Sequence, residues 1–238
     1  MYAIILAGGK GERLRPLTAD RPKPMVEILG VPVLEYQIRW LKKHGVTGIV
    51  ISCGYKHEVI QDYFGDGQGW GLQIDYAVEE EPLGRGGGIK NALSKVRVKD
   101  PSEEVIATNG DILASFDLSK VVEAHRRAEA MATVVVVPLV SPYGVVDLDE
   151  SGWIRGFREK PQLPYWINGG IYVLSRKIYD LLPDRGDHED TTFPKLAQEG
   201  KLLAYKCRGY WRAIDTMKDL TEAKKELEER MLKAFLGA

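Results

Sequence analysis

The sequence predicts an α/β fold: a mixed, mainly parallel sheet flanked by helices. Two observations carry this expectation. Short apolar runs rich in β-branched residues recur as far as Pro138, each long enough for a buried strand. Amphipathic stretches of helical length separate most of them, and such alternation implies parallel pairing through right-handed crossovers. A third observation points to a site. The first apolar run, MYAIILA, leads straight into a glycine loop containing Gly8, Gly9 and Gly11. In open α/β sheets, ligands sit beyond the carboxyl ends of strands.

Taken in order, strands are expected over 3–7, 48–53, 72–78, 104–108 and 132–138, each an apolar run bounded by turn residues. Helices are expected over 33–44, 57–64, 88–96 and 119–130. The first of these carries Leu34, Ile38 and Leu41 on one face and stops at Gly45. After Pro138 the pattern changes. YGVVDLDESGWIRGFREK reads as a hairpin turning near Glu150–Gly152, NGGIYVLS as a strand, and 201–206 as another. The tail, 217–236, reads as a charged amphipathic helix with Leu220, Leu227, Met231 and Phe235 on one stripe. These positions can pack internally or against another chain, so a homo-oligomer is open. The reading is one domain over 1–238, in two halves divided near residue 137. There is no internal repeat, and no β-helix domain is expected.

Composition narrows the function. The chain has 238 residues, 44% of them hydrophobic, and a formal net charge of −1. That charge gives no signal for nucleic acid or an anionic membrane. Cys53 and Cys207 form no CxxC pair, which argues against a disulfide framework or a zinc site. No apolar stretch approaches the roughly 20 residues of a membrane span, and no signal peptide is apparent. A cytoplasmic location is expected.

The glycine loop suggests phosphate, because glycines let backbone N–H groups approach phosphate oxygens without Cβ obstruction. Two familiar patterns fail. The loop lacks the third glycine of GxGxxG, and GxxxxGK[ST] occurs nowhere. Glycines alone would fit a plain turn leaving a strand. Arg13 and the Pro22-Lys23-Pro24 segment shift that balance: proline restrains the backbone around Lys23, and an Arg offers bidentate donors to phosphate.

Together, LAGGKGERLRPLT…RPKPMVEI resembles the signature of the sugar-1-phosphate nucleotidyltransferases, the NDP-sugar pyrophosphorylases. The resemblance continues in chain order through CGYKHEVIQDYF, EEEPLGRGGGIKNAL, NGDIL, FREKP, INGGIYVL and GYWRAIDT. It implies a Rossmann-like nucleotide-diphospho-sugar transferase (GT-A-like) fold, with a nucleotide-binding first half and a sugar-phosphate-binding second half. It also implies a reaction: an NTP and a sugar 1-phosphate give an NDP-sugar and pyrophosphate.

By resemblance, Arg13 binds the leaving phosphates and Lys23 sits near the α-phosphate and the nucleophile, as the catalytic pair. Leu6, Ala7, Gly8, Gly9, Gly11, Glu79, Gly84 and Asn109 would line the nucleotide. Gly144, Glu159, Lys160, Asn168 and Gly169 would hold the sugar phosphate. Asp111 and Asp215 would hold Mg²⁺, which commonly takes one or two carboxylates plus phosphate oxygens and water. Asp215 has a competing reading as the N-cap of the last helix. Arg85 replaces the Thr or Ser common after PLG, and the sequence gives it no role. PLGxGG followed by NGD resembles the mannose-1-phosphate guanylyltransferases and related heptose enzymes. PKPMVEI, CGYK, INGG and an aspartate four residues after Trp211 resemble the glucose-1-phosphate cytidylyltransferases. GTP is favoured as the nucleotide, with CTP, UTP or dTTP as alternatives. A non-catalytic nucleotide-sugar-binding regulatory protein is disfavoured, because Arg13, Lys23, Asp111 and Asp215 are all present.

Overall fold

Alternate residues of the first strand go to opposite faces of one sheet, and both faces are covered. In the computed structural model, which describes residues 1–97 and 103–236 and the last helix's side chains as far as Met231, Ala3, Ile5 and Ala7 join one core. Tyr2 and Ile4 join the other. That two-sided burial is why the run reads as continuously apolar rather than alternating.

The described elements are β1 (Tyr2–Ala7), β2 (Glu27–Ile28), β3 (Val31–Pro32), α1 (Val33–Lys43), β4 (Gly48–Cys53), α2 (His57–Phe64), β5 (Gln73–Val78), α3 (Gly84–Leu93), β6 (Val105–Asn109) and β7 (Ile112–Ser115). Then come α4 (Leu118–Arg127), β8 (Ala132–Val140), β9 (Val145–Leu148), β10 (Ile154–Arg158), β11 (Gln162–Leu174), α5 (Thr192–Gln198), β12 (Leu202–Lys206), β13 (Tyr210–Ala213) and α6 (Met217–Leu236). Seven strands form the main sheet in the order β12-β8-β11-β6-β1-β4-β5. All its neighbours pair in parallel except β11, which runs antiparallel to both β6 and β8. The expected mixed, mainly parallel sheet is therefore present. Helices α1, α2 and α4 contribute to one core, through residues such as Ile38, Ile60 and Val121. Helices α3 and α5 contribute to the other, through Ile89, Ala92 and Phe193. Each fully buried aliphatic side chain contributes about 1.5–3 kcal/mol of transfer free energy.

Register decides where the site forms. Tyr2 stands opposite both Gly48 and Val105, and Leu6 stands opposite Ser52 and Asn109. The carboxyl ends of β1, β4 and β6 thus share one edge. Because β11 is antiparallel, with Ile171 opposite Thr108, its Asn168–Gly170 stretch reaches the same edge. There its pairing with β8 shifts register between Asn168 and Tyr172.

A two-stranded ribbon closes the arrangement. β7 pairs antiparallel with β13, Ile112 opposite Ala213, and the Ile214 N–H donates to the Asp111 carbonyl at 2.8 Å. Residues about 100 apart in sequence meet at this ribbon. The hairpin expected near Glu150–Gly152 is β9–β10.

Three expectations shift. The third helix begins at Gly84 rather than residue 88, because the Gly86 and Gly87 N–H groups donate to the Gly186 carbonyl at 2.9 and 3.2 Å, giving this glycine-rich first turn a partner. β11 starts six residues before NGG, at Gln162. On α6, Leu220 and Leu227 pack internally against Leu14, Ile28 and Ile214, while Met231 is exposed. The Phe235 side chain lies outside the described residues. Residue 137, the expected division between halves, falls inside β8. Among the described residues, no helix is long and apolar enough to cross a membrane.

Candidate active site

The glycine loop leaves β1 at Ala7 and turns through Gly11, whose φ is +63°. A Cβ at Gly11 would stand 2.6 Å from Lys23 Cβ. Glycine is thus required twice there, by the left-handed backbone and by the approach of Lys23. Lys23 begins a short 3-10 turn after Pro22, whose extended backbone hands the chain over at a fixed angle. Its Nζ donates to Asp111 Oδ2 at 2.5 Å and to Asp215 Oδ1 at 2.7 Å. Arg13 Nη2 donates to the same Asp215 oxygen at 2.8 Å. Two cations and two carboxylates therefore converge from four separate segments of chain.

The competing reading of Asp215 as a helix cap is answered by its neighbours. Thr216 N–H donates to Asp219 Oδ2 at 2.8 Å, and Asp219 N–H donates to Thr216 Oγ1 at 3.3 Å. This reciprocal pair caps α6 and leaves the Asp215 carboxylate to Lys23 and Arg13.

The four charged groups line a cavity of about 630 Å³. Leu6, Gly8, Gly9 and Asn109 line it at the carboxyl ends of β1 and β6, Glu79 and Gly84 beyond the end of β5, and Asn168 and Gly169 at the β11 irregularity. Of the expected site residues, Ala7 is buried at the end of β1, and Gly11 lies beneath Lys23. Gly144, Glu159 and Lys160 do not line this cavity. Gly144 lies in the turn before β9, where a Cβ would come 3.0 Å from Glu159 Oε2, and Lys160 has a left-handed backbone with φ of +45°. A second cavity, of about 830 Å³, shares Trp211, Ala213 and Asp215 with the first but contains none of the glycine loop.

Glu79 is anchored. Ser52 Oγ donates to Oε1 at 2.6 Å, and the Leu83 N–H donates to Oε2 at 3.0 Å. The closest neighbours of Gly84, Gly86 and Gly87 are not in the cavity. A Cβ on Gly84 would be 2.8 Å from the Gly186 backbone, and one on Gly87 would be 2.5 Å from the Asp184 carbonyl oxygen. The glycines thus admit the 183–188 loop against the first turn of α3. Asp187, which lines the cavity, reaches it through this loop. The sequence reading missed Asp187 because DRGDHE has no periodicity and lies about 100 residues from its partner. Trp211 was also missed as a wall residue; its indole N–H donates to the Gly169 carbonyl at 2.8 Å.

Asp111 and Asp215 fit a divalent cation. Their carboxylates approach a single nitrogen from two directions, so positive charge can be held between them. Among the described residues no group of three or more His, Cys, Asp or Glu side chains could hold a metal. A cation here would complete its ligands with substrate phosphates and water, the usual Mg²⁺ arrangement.

Beside the cavity, His188 is fully buried, edge-on to Tyr172 and Phe193 with ring centroids 5.1 and 4.6 Å away. Burial, with the Arg85 guanidinium nearby, pushes it down to about 4. Between that value and the ordinary imidazole range near 6.5, the unfolded chain binds a proton that the folded chain refuses. Stability should therefore fall as pH drops from 7 to 5, by about 2 kcal/mol from this residue. Burial pushes neighbouring Glu189 up, which acts in the opposite sense, while Arg85 holds Asp187 down. A His188→Gln variant isolates the histidine: its melting temperature should change less between pH 7 and 5 than that of the wild type. Equal slopes would remove His188 as the cause.

A family model described as "Nucleotidyl transferase" matches residues 2–230. The chain is 36% identical over 233 residues to mannose-1-phosphate guanylyltransferase of Mycobacterium tuberculosis, covering 94% of this chain and 64% of that protein. It is 38% identical over 217 residues to UTP–glucose-1-phosphate uridylyltransferase of Synechocystis, covering 84% and 56%. The chain thus spans less than two thirds of the length of either. A crystal structure of HddC from Yersinia pseudotuberculosis complexed with GMP-PN superposes with a TM-score of 0.73 at 30% identity, covering 95% of this chain and 99% of that one.

Proposed function

The chain belongs to the nucleotidyl transferase family, and on that premise we propose that it joins an NTP to a sugar 1-phosphate, releasing pyrophosphate. The observation that carries this reading is the convergence of Lys23 and Arg13 on Asp111 and Asp215 beside a glycine loop. Both substrates are anions. Bringing them together requires positive charge at the phosphates, and catalysis of such transfers is mostly positioning and charge stabilisation.

A phosphate oxygen of the sugar 1-phosphate attacks the α-phosphorus. A P–O bond forms there as the bond to the β-phosphate breaks, and pyrophosphate departs with the electron pair. Gly8 and Gly9 leave room for the phosphates beyond β1. Lys23, placed between the carboxylates, meets the α-phosphate and the incoming oxygen, and Arg13 meets the departing phosphates. Asp111 and Asp215 would hold Mg²⁺, which when bound supplies positive charge to the phosphate oxygens. Glu79, fixed by Ser52 and Leu83, faces the base, with Gly84 beside it, and Asn109 lines the nucleotide from the end of β6. Asn168 and Gly169 face the sugar. Gly144, Glu159 and Lys160 would reach the sugar phosphate from the β9–β10 side.

GTP with mannose 1-phosphate, or a related hexose or heptose 1-phosphate, is the favoured pair. The guanylyltransferase relative and the GMP-PN complex support it. The four-residue spacing from Trp211 to Asp215 favours a second pair, CTP with glucose 1-phosphate. The test is pyrophosphate release with Mg²⁺ from each NTP against a panel of sugar 1-phosphates. Release should be greatest with GTP and a mannose-type sugar. Greatest release with CTP and glucose 1-phosphate selects the second pair, and no release from any combination refutes the activity.

A further inference from the structure

Arg85 is the cavity-lining cation that neither the glycine loop nor the carboxylate pair explains. Its backbone N–H donates to Asp187 Oδ1 at 2.8 Å, and its Nη2 donates to Oδ2 at 2.7 Å. Its Nη1 lies 3.0 Å from Glu189 Oε1. The same oxygen accepts from the Tyr172 hydroxyl at 3.4 Å. That hydroxyl accepts from Asn168 Nδ2 at 2.9 Å, and Asn168 Oδ1 accepts from the Gly170 N–H at 2.8 Å. One file of contacts, an ion pair at Arg85–Glu189 followed by hydrogen bonds, therefore runs from the first turn of α3, on the Glu79 side of the cavity, to the β11 irregularity on the opposite side. Its middle member, Tyr172, is fully buried, so no water is available there as a replacement partner.

The direction of the file matters. With Glu189 as an acceptor, the Tyr172 proton points toward it, and the hydroxyl oxygen must accept from Asn168. The Gly170 N–H, a donor only, already fixes the Asn168 oxygen toward itself, so the Asn168 amide nitrogen faces Tyr172 and depends on that hydroxyl for its acceptor.

We propose that Arg85 is a positioning residue for the sugar wall: by keeping Glu189 an acceptor, it sets the direction of the Tyr172 hydroxyl and so keeps an acceptor in front of the Asn168 amide nitrogen. Burial already pushes the Glu189 carboxyl up, and Arg85 opposes that push. Without the guanidinium the carboxyl takes up a proton more readily, and in that form it competes with Asn168 for the Tyr172 oxygen. The contact that holds the Asn168 amide nitrogen is then weakened. Arg85 thereby links recognition of the sugar to the nucleotide side of the cavity, although its guanidinium is engaged by two carboxylates.

The proposal rests on the nucleotidyltransfer reading, and the experiment separates the two. With the substrate pair found in the panel, Arg85→Met should raise the KM for the sugar 1-phosphate about tenfold or more, as expected for disrupting a charge-assisted hydrogen bond. The KM for the NTP should stay within about threefold. Glu189→Met, which leaves no acceptor at that position, should have the same signature, and the double variant should be no worse than either single one. Arg85→Lys, which can meet one carboxylate at a time, should recover part of the loss. A rise confined to the NTP KM, an unchanged sugar KM, or additive single effects would overturn the proposal. The Asn168 side-chain amide resonance provides a readout independent of turnover: it should shift in Arg85→Met, and in Glu189→Met should the first variant not fold. An unshifted resonance overturns the proposal even if no substrate pair is turned over. Failure of the wild type to release pyrophosphate counts against the nucleotidyltransfer reading alone.

Discussion

Asp111→Ala is expected to lower kcat/KM by at least about 100-fold, the scale of losing one preorganised charge-stabilising group. The side chain sits at the carboxyl end of β6, accepts from Lys23 at 2.5 Å, and faces Asp215 across that ammonium. Removing it halves the negative charge that Lys23 and a divalent cation would share. The backbone need not change, since the Asp111 carbonyl keeps its bond from the Ile214 N–H. Circular dichroism and the melting temperature should therefore remain close to wild type while turnover collapses. A variant that keeps kcat/KM within about threefold would dismiss Asp111 from the reaction.

Lys23→Met should be comparably severe, with a second signature. The expected fall in kcat is again about 100-fold or more, because the group proposed to meet the α-phosphate is gone. Its loss also leaves two carboxylates facing each other with only Arg13 as a counter-charge, on one side. The unliganded variant should melt at a lower temperature than the wild type. Added Mg²⁺ should raise its melting temperature more than it raises that of the wild type, since a divalent cation can then take the ammonium's place. If Mg²⁺ shifts both proteins equally, Lys23 and the cation do not share a position.

Much of this arrangement was legible in the chain. β1 and β4 are buried on both faces, so their sequences are uninterrupted apolar runs. The glycine loop, Arg13, Lys23, Asp111 and Asp215 were legible as a resemblance, and the structure brings them to one cavity. What stayed hidden depends on distant packing. The β7–β13 ribbon is two four-residue strands with little periodicity of their own, yet it sets Asp111 beside Asp215. The start of α3 is a glycine run that local propensity argues against, and the Gly186 carbonyl and the Asp187 carboxylate take up its first N–H groups. Gly84, expected to line the nucleotide, lines the cavity, and its close contact with the Gly186 backbone was not legible. Asp187 belongs to the same hidden contact.

β11 gives the molecule one more property. It is threaded between β6, from the nucleotide side, and β8, and it runs opposite to both. The walls of the cavity therefore cannot part like the jaws of a hinge without stripping β11 from one neighbour and opening two raw sheet edges. Substrate entry and product exit must instead be handled by what projects beyond the sheet: the glycine loop, the 183–188 segment and the β9–β10 arm. This is a vise with a fixed bed, and only its fittings can move.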